Sequence, residues 1–134
     1  MINGRRKGVR AELAFAAWLR GWYDPQGRPI QARRGQQFKG GGDSPDVVHT
    51  LTGVHFEVAS RQNIDHGTEA LISKCRQANA DCAATDAIPI VAWRKRKRWW
   101  MTTFGVRPGS NGFWATAPAE EVMRALGCQQ KAKP

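Results

Sequence analysis

Carboxylates in a strand-rich stretch are the residues of this chain best suited to chemistry. Asp46 stands at the start of a predicted strand, and Glu57 follows eleven residues later inside the next one. A tight turn at Thr52-Gly53 would place the two strands side by side. Two carboxylates on neighbouring strands can hold a hard divalent cation, which can activate water and stabilise charge on a phosphate. Glu12, set in an otherwise apolar helix arc, could reach the same ion.

Each of these acids also has a purely structural interpretation. An Asp after a Pro at a strand start is commonly a turn residue, and a Glu within a strand commonly faces solvent. A Glu on an apolar helix arc can lie at the edge of that arc. The three acids together, in a basic chain with a glycine-rich loop beside Asp46, favour a metal site.

Periodicity predicts the elements that must position these acids. We expect an α/β fold with a mixed sheet flanked by helices and the order α-β-β-β-α-β-β-α. Helices are predicted at 5–21, 65–83 and 116–126, and strands at 30–34, 46–50, 54–61, 88–93 and 99–104. The stretch 35–44 is predicted as a polar loop, 94–98 as a basic hairpin tip and 129–134 as a frayed tail. We expect a single domain over 1–134 with its core at 5–128.

The charge balance predicts a polyanionic partner. Lys and Arg number 21 against 11 Asp and Glu, which gives a net charge of +10. The basic residues cluster at 5–7, 33–34 and 94–98. This pattern is typical of nucleic-acid binding, with a solubilising surface as the alternative. Three tryptophans that flank the last cluster could stack on bases, or pack in a core or a dimer interface.

Targeting and cysteine patterns argue against several other classes. No apolar run approaches the roughly 18–20 residues of a membrane helix, and the basic N-terminus lacks the apolar stretch of a signal peptide. The three cysteines form no C-x-x-C pair, which argues against a disulfide scaffold or a cysteine zinc site. His49, His55 and His66 lack zinc-ligand spacing, and we assign these histidines to the surface. We expect a protein of the reducing cytoplasm, in a prokaryotic or phage-infected cell.

Four short motifs occur in order along the chain. They are R-K-G-x-x-x-E at 6–12, a Gly/Ser-rich loop at 39–44, P-D-V at 45–47, and E-V-A-S-R at 57–61. The second pair resembles the PD-(D/E)XK nuclease motif, with Ala59 in place of its lysine. The whole set resembles the archaeal- and phage-type Holliday junction resolvases. The resemblance covers about residues 5–104, most of the chain.

This resemblance implies a fold, an activity and a set of site residues. The fold would be restriction-endonuclease-like, and the activity would serve DNA recombination and repair. A homodimer would bind four-way DNA junctions and cut two opposing strands with Mg²⁺, for which Mn²⁺ could substitute. The implied metal ligands are Asp46, Glu57, the backbone carbonyl of Val58, and Glu12 directly or through water. Ser44 and position 59 complete the implied catalytic set. The implied DNA-contacting residues are Arg5, Arg6, Lys7, Arg33, Arg34, Lys39, Arg61, Arg94, Lys95 and Arg96.

Ala59 is the one departure at a chemically essential position. In the family this lysine orients the attacking water and stabilises charge at the phosphate, and alanine carries no such group. One hypothesis is a deliberately inactivated chain that binds junctions without cutting them. Strand alternation places Glu57, Ala59 and Arg61 on one face. Another hypothesis is therefore that Arg61, or Lys74 on the next helix, takes over the role. The third is a natural junction binder. More broadly, the alternatives are another nuclease of the superfamily, acting on flaps or ends, and a non-enzymatic nucleic-acid-binding module.

Overall fold

The computed structural model describes residues 4–35, 46–60, 64–105 and 113–132, with side chains from residue 8 onward except at 104–105 and 113–114. The described helices are α1 (Gly4–Leu19), α2 (Glu69–Asp81) and α3 (Ala119–Ala125). The described strands are β1 (Trp22–Tyr23), β2 (Ala32–Arg34), β3 (Val47–His49), β4 (Val54–Ala59), β5 (Ile88–Lys95), β6 (Arg98–Gly105), β7 (Phe113–Pro118) and β8 (Gln129–Gln130).

A four-stranded mixed sheet in the order β4-β5-β6-β7 forms the centre of this α/β fold. Strands β4 and β5 run parallel, whereas β5 with β6 and β6 with β7 are antiparallel. Parallel neighbours need a crossover connection, and α2 lies in that connection between β4 and β5. The predicted α/β class with a mixed sheet and flanking helices is therefore confirmed.

Opposite faces of the sheet pack against different helices. One core cluster joins α1 and α3 to the sheet, and its buried side chains include Phe15, Leu19, Phe56, Val58, Ala92, Met101 and Met123. A second cluster joins α2 to the other face, and it contains Ala59, Ile64, Leu71, Cys75, Ala78, Val91 and Trp93. Side chains alternate along a strand, so Glu57 lies on the same face as Ala59, towards α2. The predicted sharing of one face by these two residues is confirmed.

The basic run 94–98 forms a hairpin tip, as predicted. Lys95 is paired with Arg98 across the β5–β6 ladder, and Arg96 and Lys97 form the turn between them. Both turn residues have positive φ, 53° and 66°, as in the mirror-image turns whose twist matches a two-residue hairpin. This tip carries exposed positive charge at Arg94, Arg96 and Arg98.

Three details of the predicted order are wrong. Strand β3 pairs antiparallel with β2 instead of forming a ladder with β4, although Gly53 does make the expected turn with φ of 81°. The residues before the last helix form strand β7, and Pro118 caps α3 from outside it. The supposedly frayed tail contributes β8, which pairs with β1 near the end of α1. Strands β1, β7 and β8 depend on pairing with distant segments, which local periodicity does not report.

Two further features of the fold concern its helices and its cysteines. In the described part of the chain, no helix is both long and apolar enough to cross a membrane. All three cysteines, Cys75, Cys82 and Cys128, are buried free thiols.

Candidate functional site

Three elements bring two carboxylates and an amine into one cluster. Asp46 immediately precedes β3, Glu57 lies within β4, and Lys74 lies on α2. The Nζ of Lys74 is 3.3 Å from Oδ2 of Asp46 and 3.6 Å from Oε2 of Glu57. The backbone N–H of Val58 donates a hydrogen bond of 2.8 Å to Oδ2 of Asp46. The predicted convergence of Asp46, Glu57 and Val58 is thus present, although β3 and β4 form no ladder.

Helix periodicity explains how Lys74 reaches the carboxylates. Leu71, Cys75 and Ala78 are buried against the sheet at spacings of four and three residues. Lys74 falls on the same stripe, three residues after Leu71 and four before Ala78, so its side chain is directed towards β4. A lysine on an apolar helix stripe was the sequence signal for this contact. Of the two substitutes considered for the missing lysine, Lys74 is in the cluster, and Arg61 lies outside the described residues.

Burial and mutual interaction separate the ionisation of the two acids. Burial is the largest influence on Glu57; together with the neighbouring Asp46 it raises the pKa of Glu57 to about 7, against the opposing effects of His55 and Lys74. Burial also tends to raise the pKa of Asp46, but the hydrogen bond from Glu57, the charge of Lys74 and the Val58 N–H together lower it. Near neutral pH, Asp46 is therefore ionised and Glu57 exchanges its proton readily.

Glu12 lies close enough to join this acidic cluster electrostatically. Burial and the charge of Asp46 raise the pKa of Glu12, and Arg34 opposes them. The Nε of Arg34 donates a hydrogen bond of 2.9 Å to Oε2 of Glu12. Helix α1 thus supplies the third acid, as predicted. Arg34, expected to contact phosphate, is engaged through Nε in compensating the charge on Glu12.

His55 belongs to the site, and its assignment to the surface is wrong. Its Nε2 lies 2.9 Å from Oε1 of Glu57, and its side chain is only 15% exposed. The two residues are neighbours on one face of β4 because they are two positions apart. That spacing was the sequence signal for His55. The surface assignment of His49 is also wrong, because its ring packs on Phe56 and its Nδ1 accepts a hydrogen bond from the Leu51 N–H.

Two cavities flank the end of β4, and both are lined by Ala59 and Ser60. The cavity on the α2 side has a volume of about 230 Å³ and includes Lys74 in its wall. The cavity on the α1 side has a volume of about 350 Å³ and includes Arg10 and Arg94. Arg10 was not among the predicted DNA-contacting residues. The acidic cluster therefore lies beside a basic recess that can accept an anion.

Other predicted contact residues have different surroundings. Arg33 and Arg96 are exposed, on β2 and at the hairpin tip. Lys95 is held by an ion pair with Asp65. The guanidinium of Arg94 lies 5.5 Å from the ring centroid of Trp99, over its face. The predicted residues Lys39, Ser44 and Arg61 lie outside the described residues, as do the side chains of Arg5, Arg6 and Lys7 on α1.

Comparisons with protein-family models, curated proteins and solved structures find no match for the chain.

Proposed function

We propose that this protein is a divalent-metal-dependent DNA endonuclease that cuts branched DNA, with the four-way junction as its substrate. The observation that carries the proposal is the meeting of Asp46, Glu57 and Lys74 from three separate elements. Two acids that can hold a hard cation and an amine that can stabilise developing charge suit phosphodiester hydrolysis. The sequence resemblance, the mixed sheet and the net charge of +10 support the same function.

The donor set fits a hard divalent cation. Asp46 and Glu57 are 4% and 2% exposed, and buried carboxylates need a compensating positive charge. Mg²⁺ prefers oxygen ligands, and Asp46, Glu57 and the Val58 carbonyl, with Glu12 through water, would hold it. The ion would polarise the phosphate and lower the pKa of a bound water. Mn²⁺, with similar ligand preferences, is the expected substitute.

Lys74 can supply the amine that Ala59 lacks. Its ammonium lies within 4 Å of both proposed ligand carboxylates, where it can orient water and stabilise charge that develops on the phosphate. This arrangement supports an active enzyme whose amine is supplied by α2, over an inactivated chain or a pure binder. The small side chain of Ala59 keeps the cavity in front of Lys74 open.

Basic groups around the cluster provide a path for the DNA backbone. Arg10 and Arg94 line the recess next to Ala59, and the hairpin tip places further exposed positive charge at the far end of β5. Phosphate contacts of this kind position a duplex without reading its sequence. Two opposing nicks require two sites related by a two-fold axis, so we propose that the protein acts as a homodimer.

Cleavage of a labelled four-way junction in Mg²⁺ tests the proposal. We expect paired nicks from the native chain, and a loss of at least a hundredfold in Asp46→Asn, since that change removes a metal ligand. Junction binding by the variant should persist. Asp86→Asn is the matched control, because Asp86 is an exposed carboxylate in the connection between α2 and β5. It should cut at the native rate.

Each alternative gives a different result in the same assays. Junction binding without cleavage in Mg²⁺ or Mn²⁺ would identify a binding protein on this fold. Cleavage restricted to flaps or ends would identify another nuclease activity. Equal affinity for junction and linear duplex at moderate salt would indicate an electrostatic binder, since phosphate neutralisation alone does not distinguish DNA shapes.

A further inference from the structure

His55, Glu57 and Asp81 form a cluster that the proposed magnesium site does not use in full. One ligand atom from each residue lies within 4.8 Å of the others. Ligand atoms about 2.0–2.2 Å from one tetrahedral zinc ion lie about 3.3–3.6 Å apart. Side-chain movements of about an ångström would therefore bring the three groups onto a single ion.

Secondary-structure spacing directs these residues towards one another. His55 and Glu57 share a face of β4 because they are two positions apart. Lys74 and Asp81 share a face of α2 because seven residues make almost two full turns. The strand pair and the helix pair face each other, with Lys74 opposite one side of Glu57 and Asp81 opposite the other. This arrangement is fixed by two regular elements and involves no loop.

The two oxygens of Glu57 point to different neighbours. Oε1 accepts the contact with His55 at 2.9 Å, whereas Oε2 lies 3.6 Å from Lys74 on the side of Asp46. The carboxylate of Glu57 thus belongs to two sets of possible ligands, one at each oxygen. The set with Asp46 consists of oxygens, which suit Mg²⁺. The set with His55 contains an imidazole nitrogen, which suits zinc and other late transition metals.

Asp81 provides a second, independent indication of a cation. It is the last residue of α2, where the partial negative charge of the helix C-terminus disfavours a carboxylate, and no basic residue stands in that last turn. Among the described residues, none makes a hydrogen bond or ion pair with its carboxylate, although its charge, after the hydrogen bond and charge of Glu57, helps to raise the pKa of His55. A bound cation beside His55 and Glu57 would offset the negative charge of the helix C-terminus and would give the Asp81 carboxylate a partner.

We propose that His55, Glu57 and Asp81 form a transition-metal site, selective for Zn²⁺ over Mg²⁺, that shares Glu57 with the catalytic cluster. Water completes the coordination. Because Zn²⁺ on this side engages Glu57, it lowers the affinity of the neighbouring site for Mg²⁺. The inhibitory effect rests on the proposed nuclease function, whereas metal binding itself does not.

Calorimetric titration of the full chain with Zn²⁺ and, separately, with Mg²⁺ tests this site. We expect Asp81→Asn and His55→Gln to weaken Zn²⁺ binding at least tenfold, and Asp81→Asn to leave Mg²⁺ binding within twofold. Asp46→Asn should do the reverse. Asp86→Asn again serves as the charge-matched control and should change neither titration. Circular dichroism of each variant verifies that it is folded.

The outcomes separate this site from the nuclease proposal. Zn²⁺ affinity that is unchanged in both Asp81→Asn and His55→Gln would overturn the site, as would a Zn²⁺ loss in Asp46→Asn equal to that in Asp81→Asn. Zn²⁺ binding with the expected variant pattern, in a chain that cuts no DNA, would uphold the site and count against the nuclease. In an active chain, Asp81→Asn should raise the inhibitory Zn²⁺ concentration at least tenfold.

Discussion

Replacement of Lys74 by methionine is the sharpest test of how this site works. The change keeps a long unbranched side chain on the apolar stripe of α2 but removes the ammonium 3.3 Å and 3.6 Å from Asp46 and Glu57. A group that transfers protons or stabilises charge only in the transition state contributes about a hundredfold to ten-thousandfold. At about 1.4 kcal/mol per factor of ten, that is roughly 3–5 kcal/mol of activation free energy.

The same change should cost much less in folding stability. Leaving a buried charge without its partner costs about 3–5 kcal/mol. Here the pKa of Glu57 is already about 7, so the loss of Lys74 lets Glu57 keep its proton at neutral pH. Protonation of Glu57 avoids one uncompensated charge, and Asp46 keeps its hydrogen bonds from Glu57 and the Val58 N–H, so we expect a loss of only about 1–2 kcal/mol. Chemical denaturation at pH 7 measures this value.

Moving the amine provides the decisive comparison. Ala59 lies on the face of Glu57 and lines the same cavity of about 230 Å³ as Lys74, so a lysine there can reach the carboxylates. We expect Lys74→Met to reduce single-turnover junction cleavage at least a hundredfold, and the added Ala59→Lys change to recover at least tenfold. Arg76→Met removes an exposed charge from α2 and is the matched control. A folded Lys74→Met chain that binds and cuts junctions at the native rate would refute the assignment.

Three further predictions concern stability and DNA binding. Burial lowers the pKa of His49 from 6.5 to about 4. The neutral ring therefore contributes its full stabilisation above pH 6.5. As the pH falls from 6.5 to 4, the unfolding free energy should decrease by up to roughly 3 kcal/mol. His49→Asn, which keeps a hydrogen-bond acceptor, should lack this pH dependence, so the slope should appear in the difference between the unfolding free energies of the native and variant proteins. Phe15→Ala should lower the unfolding free energy by about 3–5 kcal/mol, because Phe15 is fully buried between aromatic rings; a loss below 1 kcal/mol would contradict this packing. Replacing Arg96 by Asn and Lys97 by Gly relieves positive-φ strain and should stabilise the fold by about 1–2 kcal/mol. The same double change should reduce the salt dependence of DNA affinity by about one to two phosphate contacts, and an unchanged slope would exclude the tip from the interface.

Local patterns were sufficient for much of the fold and for the three acids. Strand alternation predicted that Glu57 and Ala59 share a face, and the apolar arc of the first helix made Glu12 conspicuous. Turn chemistry and β-propensity predicted the basic hairpin tip. These features depend on residues close in sequence, whose geometry the backbone period sets directly.

The remaining parts of the site depend on which elements meet. The basic group beside the carboxylates could not be assigned from the sequence, since Arg61 was expected on the same strand face and the reach of Lys74 depended on how the next helix packs. His55 lacked any ligand spacing to other histidines or to cysteines, and its partner Asp81 lies on a helix 26 residues further along the chain. Such contacts form only when α2 packs across β4.

The sequence by itself determined the acids, the faces on which they lie and the basic character of the chain. The tertiary structure alone decided that β3 pairs with β2, that the last residues add a strand beside β1, and that Lys74 lies beside Asp46 and Glu57. The physical reason is that hydrophobic periodicity and secondary-structure propensity specify only on which face of its own helix or strand each side chain lies. The partner in that direction is selected by packing between elements far apart in the chain, where burial of two apolar helix faces against one sheet fixes the register.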